Sequence, residues 1–335
     1  MKFRIAAGIA LLSTAAMAAQ EPRGDYHIVP LVSDQKGVAP DTDPDLVNAW
    51  GISQAPGSPL WVSDNGTNLS TLYDPKSGEK NSLVVKLPSG GPTGTVFVNG
   101  KGFPISENGM KGDSVFIFDT EDGALLGWNN SVDLNKAIVA VDNSRRKSAY
   151  KGLALDDDLS LFAADFVNNE VQIYDRKWHL TGRFTDTYLP KRFAPFNSAW
   201  IKGKLYVAFA KREMGGIDEV DGKGLGYVDV FDANGNLQKQ LIAQGDLNAP
   251  WGMTIAPPKF GKFAGALLVG NFGDGKVHAY DVDTGKLLGT LRTNSDKTLV
   301  IDGLWSLFPG PDKRSVIFSS GPDGEKHGLL GQIRH

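Results

Sequence analysis

The residues of this chain that could do chemistry are mostly oxygen donors, spread at regular intervals. Asn48, Asn197, Asn248 and Asp302 stand at the start of short apolar segments, and Asp64, Asn65, Asp165, Asn168, Asn271, Asp274, Glu325 and His327 follow a second kind of apolar segment. Amide and carboxylate oxygens in such a set suit Ca2+ or Mg2+ better than a transition metal. The same residue types cap turns, and each position carries both readings. Asp41, Asp43 and Asp45 alternate like the start of a calcium loop, yet the later Gly and Glu of an EF-hand are missing and Pro44 favours an extended, solvated approach. Of five histidines, His27 and His278 lie in alternating segments, His179 in a turn and His335 at the end. His327, two residues after Glu325, is the one placed to serve as a general base or a ligand, or to bond the backbone within the core.

Other chemistry is excluded. The chain has no cysteine, so it has no disulfide framework, no thiolate metal site and no thiol nucleophile. It has no G-x-S-x-G elbow, no H-E-x-x-H and no Walker loop. The run Gly222 to Gly226 is glycine-rich but opens no helix, which argues against a phosphate cradle. Lys211, Arg212 and Glu213 read as an anion contact or as a solvated loop. A net charge of −3 argues against nucleic acid, which rewards a basic stripe.

The elements that must position these donors repeat. An aromatic followed by aspartate ends a short alternating strand at Tyr73-Asp74, Phe118-Asp119, Tyr174-Asp175, Phe231-Asp232 and Tyr280-Asp281. A turn with glycine, asparagine or aspartate and a further strand follow each pair, predicting five β-hairpins. Ahead of each hairpin stands a small-residue segment: NAWGIS, GPTGTVFV, YKGLAL, FNSAWI and PWGMTI, with GLWSLF as a sixth. Gly51, Gly94, Gly152, Ser198, Gly252 and Trp305 are read as equivalent. A further apolar strand lies between in PLWVSD, LSLFAADF, KLYVAFA, GALLVGNF and SVIFSSG. Four strands per unit, at a period of roughly 50 residues, predict an all-β, six-bladed β-propeller. Trp50, Trp200, Trp251 and Trp305 lie near the first strands and suit blade packing or stacking on a ligand. The sixth unit lacks an outer strand. Residues 26–34 are expected to supply it, so that the N-terminal strand closes the last blade and no sheet edge is left open. Stretches 141–148 and 211–224 read as loops. The 40 glycines among 335 residues exceed the usual share of about 7% and suit a turn-rich fold.

Lys2 and Arg4, the apolar run Ile5 to Leu12 and Ala16-Met17-Ala18 read as a signal peptide over 1–18. The run is too short for a transmembrane helix, and no later segment is long and apolar enough. The expectation is export to a periplasm or the cell exterior, with one propeller domain over 19–335.

The segments LVNAWGIS, YKGLAL, YVDVFD, LNAPWGMTIAP, LLVGNFGDGKVHAYD, DGLWSL and HGLLG resemble those of an uncharacterised group of exported bacterial propeller proteins, over nearly the whole chain. More distantly, the chain is similar to NHL-repeat propellers and to the gluconolactonase and senescence-marker family. That second resemblance implies a divalent cation, Ca2+ or another, at the channel mouth, and hydrolysis of lactones or related esters. Asn197, Asn248 and Asp302 stand at counterpart positions as implied metal donors, and Asn48 stands near the place of a first-blade glutamate that this sequence lacks. The expectation is a binding propeller whose mouth, through Asn48, Asp64, Asp165, Asn271, Glu325 and His327, takes a small molecule, a glycan or a protein. The alternatives are a metal-dependent hydrolase of the lactonase type and an extracellular structural protein.

Overall fold

The structure, a computed structural model, describes residues 25–335. The expected signal peptide over 1–18 lies outside the described residues. The fold is all-β. Six sheets stand around an axis as the blades of a β-propeller, antiparallel except where the short strand Asp41–Thr42 runs parallel beside His27–Ser33, and each innermost strand packs against the innermost strands of its two neighbours. In blade 1 the strands run outward as Ala49–Gln54, Leu60–Asp64, Leu69–Tyr73 and Lys80–Lys86. Blades 3, 4 and 5 repeat this order, with inner strands Tyr150–Leu155, Phe193–Ile201 and Pro250–Ile255.

The aromatic of each aromatic-aspartate pair is buried between blades, as Tyr73, Tyr174, Phe231 and Tyr280 are. The aspartate beside it turns the chain. Asp74 Oδ1 accepts the backbone N–H groups of Lys76 and Ser77, and Asp175, Asp232 and Asp281 do the same in their blades.

Blade 2 departs from the expected pattern. A small hairpin, Pro104–Glu107 with Met110–Asp113, is inserted after the inner strand Pro92–Phe97. Phe116–Thr120, with its Phe118-Asp119 pair, is therefore the second strand of the blade rather than the third. Asp119 does not turn the chain; its buried carboxylate accepts the Thr93 hydroxyl at 2.8 Å. The outer strand is Ile138–Asp142, which overlaps the start of the expected loop. Its half-exposed residues pair with Ala124–Trp128.

Blade 6 closes the ring as expected. Its strands are Leu304–Pro309, Ser315–Ser320 and Leu329–Arg334, and His27–Ser33 lies antiparallel to the last of these as the outer strand. Chain segments from opposite ends thus share one sheet.

The strand registers place the small-residue ring one step away from the expected alignment in two blades. Ala49 pairs Asp64 and Ile52 pairs Val62; the matching pairs are Pro195 with Phe209 and Ser198 with Val207 in blade 4, and Leu304 with Ser320 and Leu307 with Phe318 in blade 6. The ring is therefore Gly51, Gly94, Gly152, Asn197, Gly252 and Ser306. Space explains its glycines. A Cβ on Gly51 would lie 2.5 Å from the Thr93 carbonyl oxygen, and one on Gly252 would lie 2.6 Å from that of Trp305.

Candidate functional site at the channel mouth

One residue before the small ring, the same registers align Trp50, Thr93, Lys151, Phe196, Trp251 and Trp305. Four of these are aromatic, and they fill the channel. Trp50 stacks on Trp305, and Trp251 meets both edge-on at 5.9 Å. Phe272 stacks on Trp305 at 4.0 Å, and Phe166 and Phe196 pack into the same cluster. The three indoles are at most 3% exposed. They pack the axis rather than offer a face to a ligand. Trp200 lies apart, stacked on Phe162 and bonded to Asp157.

Lys151 breaks this aromatic ring. Its side chain is 1% exposed, and its ammonium lies 5.2 Å from the centre of the Trp50 ring. It pairs with Glu121 from the turn after the second strand of blade 2 and lies 3.7 Å from Asp218 of blade 4. Burial alone would push the Lys151 ammonium down. The carboxylates of Glu121, Glu219 and Asp218 outweigh burial and hold it above its usual range.

From this ion pair a chain of side-chain hydrogen bonds runs back through the blades. Asn65 donates to Glu121 at 2.9 Å, Asn48 donates to Asn65 at 3.2 Å and to Glu325 at 2.7 Å, and the Trp305 indole donates to Asn48 at 3.0 Å. Glu325, Asn48 with Asn65, Glu121 and Lys151 come from blades 6, 1, 2 and 3. Glu325 holds φ at +66° and Asn48 at +49°. Asparagine tolerates that region and glutamate does so at a cost, which the surrounding bonds at the mouth offset.

Blade 4 supplies a strap. Between its second and third strands the chain folds back on itself, with Glu213 N–H on the Asp218 carbonyl and Val220 N–H on that of Lys211. The strap brings Asp218 and Glu219 to the ammonium and leaves Met214 and Ile217 exposed. Burial raises the Glu219 carboxyl to about 7; Glu325 and Asp221 add to the rise and Lys151 opposes it. Burial also raises Glu325. The mouth is therefore acceptor-rich, with one internal cation.

Of the expected ligand-binding residues, Asn48 and Glu325 meet here. Asp64, Asp165 and Asn271 occupy one register position at the end of a second strand and pin the turn that follows. Asp64 accepts the Thr71 N–H and hydroxyl, and Asp165 accepts Asn168 and Gln172. Asn271 donates to the Asp246 carbonyl and to Asp274. His327 turns away from the axis to Asp34, at 2.7 Å, and ties down the closing strand.

The implied metal donors do not form a set. Asn197 accepts the Ser198 N–H and donates to the Trp251 carbonyl, Asn248 accepts the Gly222 N–H, and Asp302 accepts the Asp323 N–H. None shares a partner with another. No group of three or more His, Cys, Asp or Glu suited to a metal occurs among the described residues. The site does not fit the cation that the lactonase resemblance implies. Sequence reading missed Lys151, Glu121, Asp218 and Glu219. The available signal was a lysine in YKGLAL where three sister segments carry tryptophan.

The far end of the channel, beyond the aromatic plug, is a cavity of about 430 Å3 lined by the inner strands, among them Ser53, Thr95, Leu155, Met253 and Phe308.

No protein-family model matches the chain. Among curated proteins, the uncharacterised protein R648 of Acanthamoeba polyphaga mimivirus is 30% identical over 319 residues, which cover 90% of this chain and 78% of that protein. The uncharacterised protein L690 of the same virus is 31% identical over 318 residues, covering 90% and 84%. Among solved structures, a streptogramin B lyase superposes with a TM-score of 0.54 at 13% identity, covering 93% of this chain and 98% of that one. Virginiamycin B lyase from Staphylococcus aureus gives 0.56 at 9% identity, covering 93% and 100%. A putative gluconolactonase gives 0.55 at 15% identity, covering 92% of each. At these identities the solved structures show a shared fold.

Proposed function

This chain belongs to one family with the mimivirus proteins R648 and L690, and from that premise we propose that it is an exported propeller that binds a small, donor-rich molecule of the glycan class at its channel mouth. The observation that carries this reading is the imbalance of groups there. Glu121, Asp218, Glu219 and Glu325 gather around one ammonium, with Asn48 and Asn65 between them. Hydroxyl and amine donors satisfy such acceptors, while an added carboxylate would be repelled. Export rests on the Lys2, Arg4 and Ala16-Met17-Ala18 pattern, and a mature N-terminus at Ala19 would support it.

Calorimetric titration with glucosamine, glucose and glucuronate tests the reading. Glucosamine and glucose bind and glucuronate does not; Glu325→Ala weakens glucosamine about tenfold to a hundredfold, the usual cost of one charge-assisted hydrogen bond. Binding of glucuronate in preference to the other two, or indifference to Glu325→Ala, overturns it.

One observation favours a catalytic reading as well. Glu219, near neutrality beside a fixed ammonium, has the properties of a general base paired with an electrostatic stabiliser. The fold is shared with a lyase and a putative gluconolactonase. Turnover of a lactone that rises through pH 7 and is lost in Glu219→Gln would support it.

A further inference from the structure

We propose that the cavity at the far end of the channel is a second binding site, which takes an organic cation: a compact apolar body carrying one amine. The cavity has a volume of about 430 Å3 and draws its wall from all six blades. That volume lies within the range of small-molecule sites. Its wall is largely apolar, with Phe97, Leu155, Trp200, Met253 and Phe308 among the lining residues. Phe97, Leu155, Trp200 and Phe308 are only half-buried, and covering apolar surface of this kind is favourable. Trp200 is held in place there. Its ring stacks on Phe162, and its N–H donates to Asp157 at 3.1 Å.

The ionisable groups of the wall are both acids. Asp156 and Asp157 line the cavity, and no lysine, arginine or histidine does. Asp156 is 5% exposed. One of its oxygens accepts the N–H groups of Asp158 and Ser160, at 3.0 and 2.7 Å, and the other has no partner among the described residues. Neither acid belongs to an ion pair among the described residues. A carboxylate withdrawn from water is costly without a partner, and an ammonium supplies one. Ser306 adds a second unmet group. It lines the cavity at 6% exposure, and its hydroxyl has no partner among the described residues. The aromatic lining also attracts a cation through the faces of its rings. An anion is repelled by both acids, and a sugar leaves the apolar wall uncovered. The buried indoles of Trp50, Trp251 and Trp305 stand between this cavity and the mouth, so the inference does not depend on what the mouth binds.

Calorimetry and tryptophan fluorescence with 2-phenylethylamine, 2-phenylethanol and 3-phenylpropionate test the inference, since Trp200 and Trp251 line the cavity. The amine binds and shifts the emission. The alcohol binds about tenfold or more weakly than the amine, the usual loss with one charge-assisted hydrogen bond, and the carboxylate does not bind. Asp156→Asn combined with Asp157→Asn brings the amine down to the affinity of the alcohol. Asparagine keeps an oxygen to accept the Asp158 and Ser160 N–H groups, so the turn retains its bonds. Ala199→Phe, half-buried in the wall, fills the cavity and abolishes amine binding, which keeps the test open if the double variant does not fold. Absence of amine binding to the wild-type protein overturns the inference. So does equal binding of amine and alcohol, or amine binding that survives Ala199→Phe. Failure of every sugar to bind would end the reading of the mouth and leave this result standing.

Discussion

The indole of Trp50 lies flat on that of Trp305, with ring centroids 3.4 Å apart and 19° between the planes. The first and last blades therefore meet on the channel axis through two stacked rings, and the Trp305 N–H also holds the Asn48 amide that faces Glu325. Trp305→Ala should cost about 3–5 kcal/mol of stability, the usual range for a buried aromatic truncated to alanine. Urea unfolding measures it. A cost below about 1 kcal/mol, within the range of a tolerated volume-conserving swap, would mean that the plug does not hold the ring.

Closure of blade 6 gives a second expectation. His27–Ser33 covers the edge of Leu329–Arg334, and Asp34 binds both the His327 ring and the Gly328 N–H. Removing residues 25–34 bares that edge to other chains. Size-exclusion chromatography should show aggregation and a loss of cooperative unfolding. A monomer that unfolds as sharply as the full chain would contradict the closing role.

Acid groups at the seam between blades 3 and 4 give a third. Asp229 is fully buried, and neither of its carboxylate oxygens has a hydrogen-bond donor. Protonation of Asp229 opens a side-chain hydrogen bond from it to Asp186. Burial, then the Asp186 charge and this bond, raises Asp229 to about 8. The unfolded value is about 3.9. The folded state therefore binds more protons between those limits, and stability falls as pH rises from about 4 to 8, by at most about 1.4 kcal/mol per pH unit. Below that window the contribution is fully present, and above it no further change follows. Tyr227 also faces the pair, and burial and Asp229 keep its phenol raised and neutral. Asp229→Asn keeps a donor without the titration. Its thermal midpoint should be higher than wild type at pH 8 and its pH slope shallower. An unchanged slope would remove Asp229 as the source.

The fold was legible because each blade must repeat the same solution. A small residue at the inner strand, an aromatic between blades and an aspartate in the outer turn recur wherever the geometry recurs. Blade 2 was misread because an inserted hairpin displaced Phe118-Asp119 by one strand while preserving its local pattern. The site was less legible. Asn48 and Glu325 could be placed because their loops converge at the mouth in any propeller. Asp64, Asp165 and Asn271 look the same in sequence but bond inward to their own turns. The charge at the centre comes from Lys151, on a strand, and its acids come from a turn in blade 2 and a strap in blade 4. These lie far apart in the chain, and their meeting follows from ring geometry rather than from any local motif.

The central claim, that the mouth is the binding site, is tested most directly by soaking a crystal of the protein in glucosamine. The account predicts the sugar at the mouth, with its amine and hydroxyl groups on Glu325, Asn48 and the strap carboxylates. Glucosamine in the cavity at the other end of the channel, against Thr95, Met253 and Phe308, or at neither end, would contradict it.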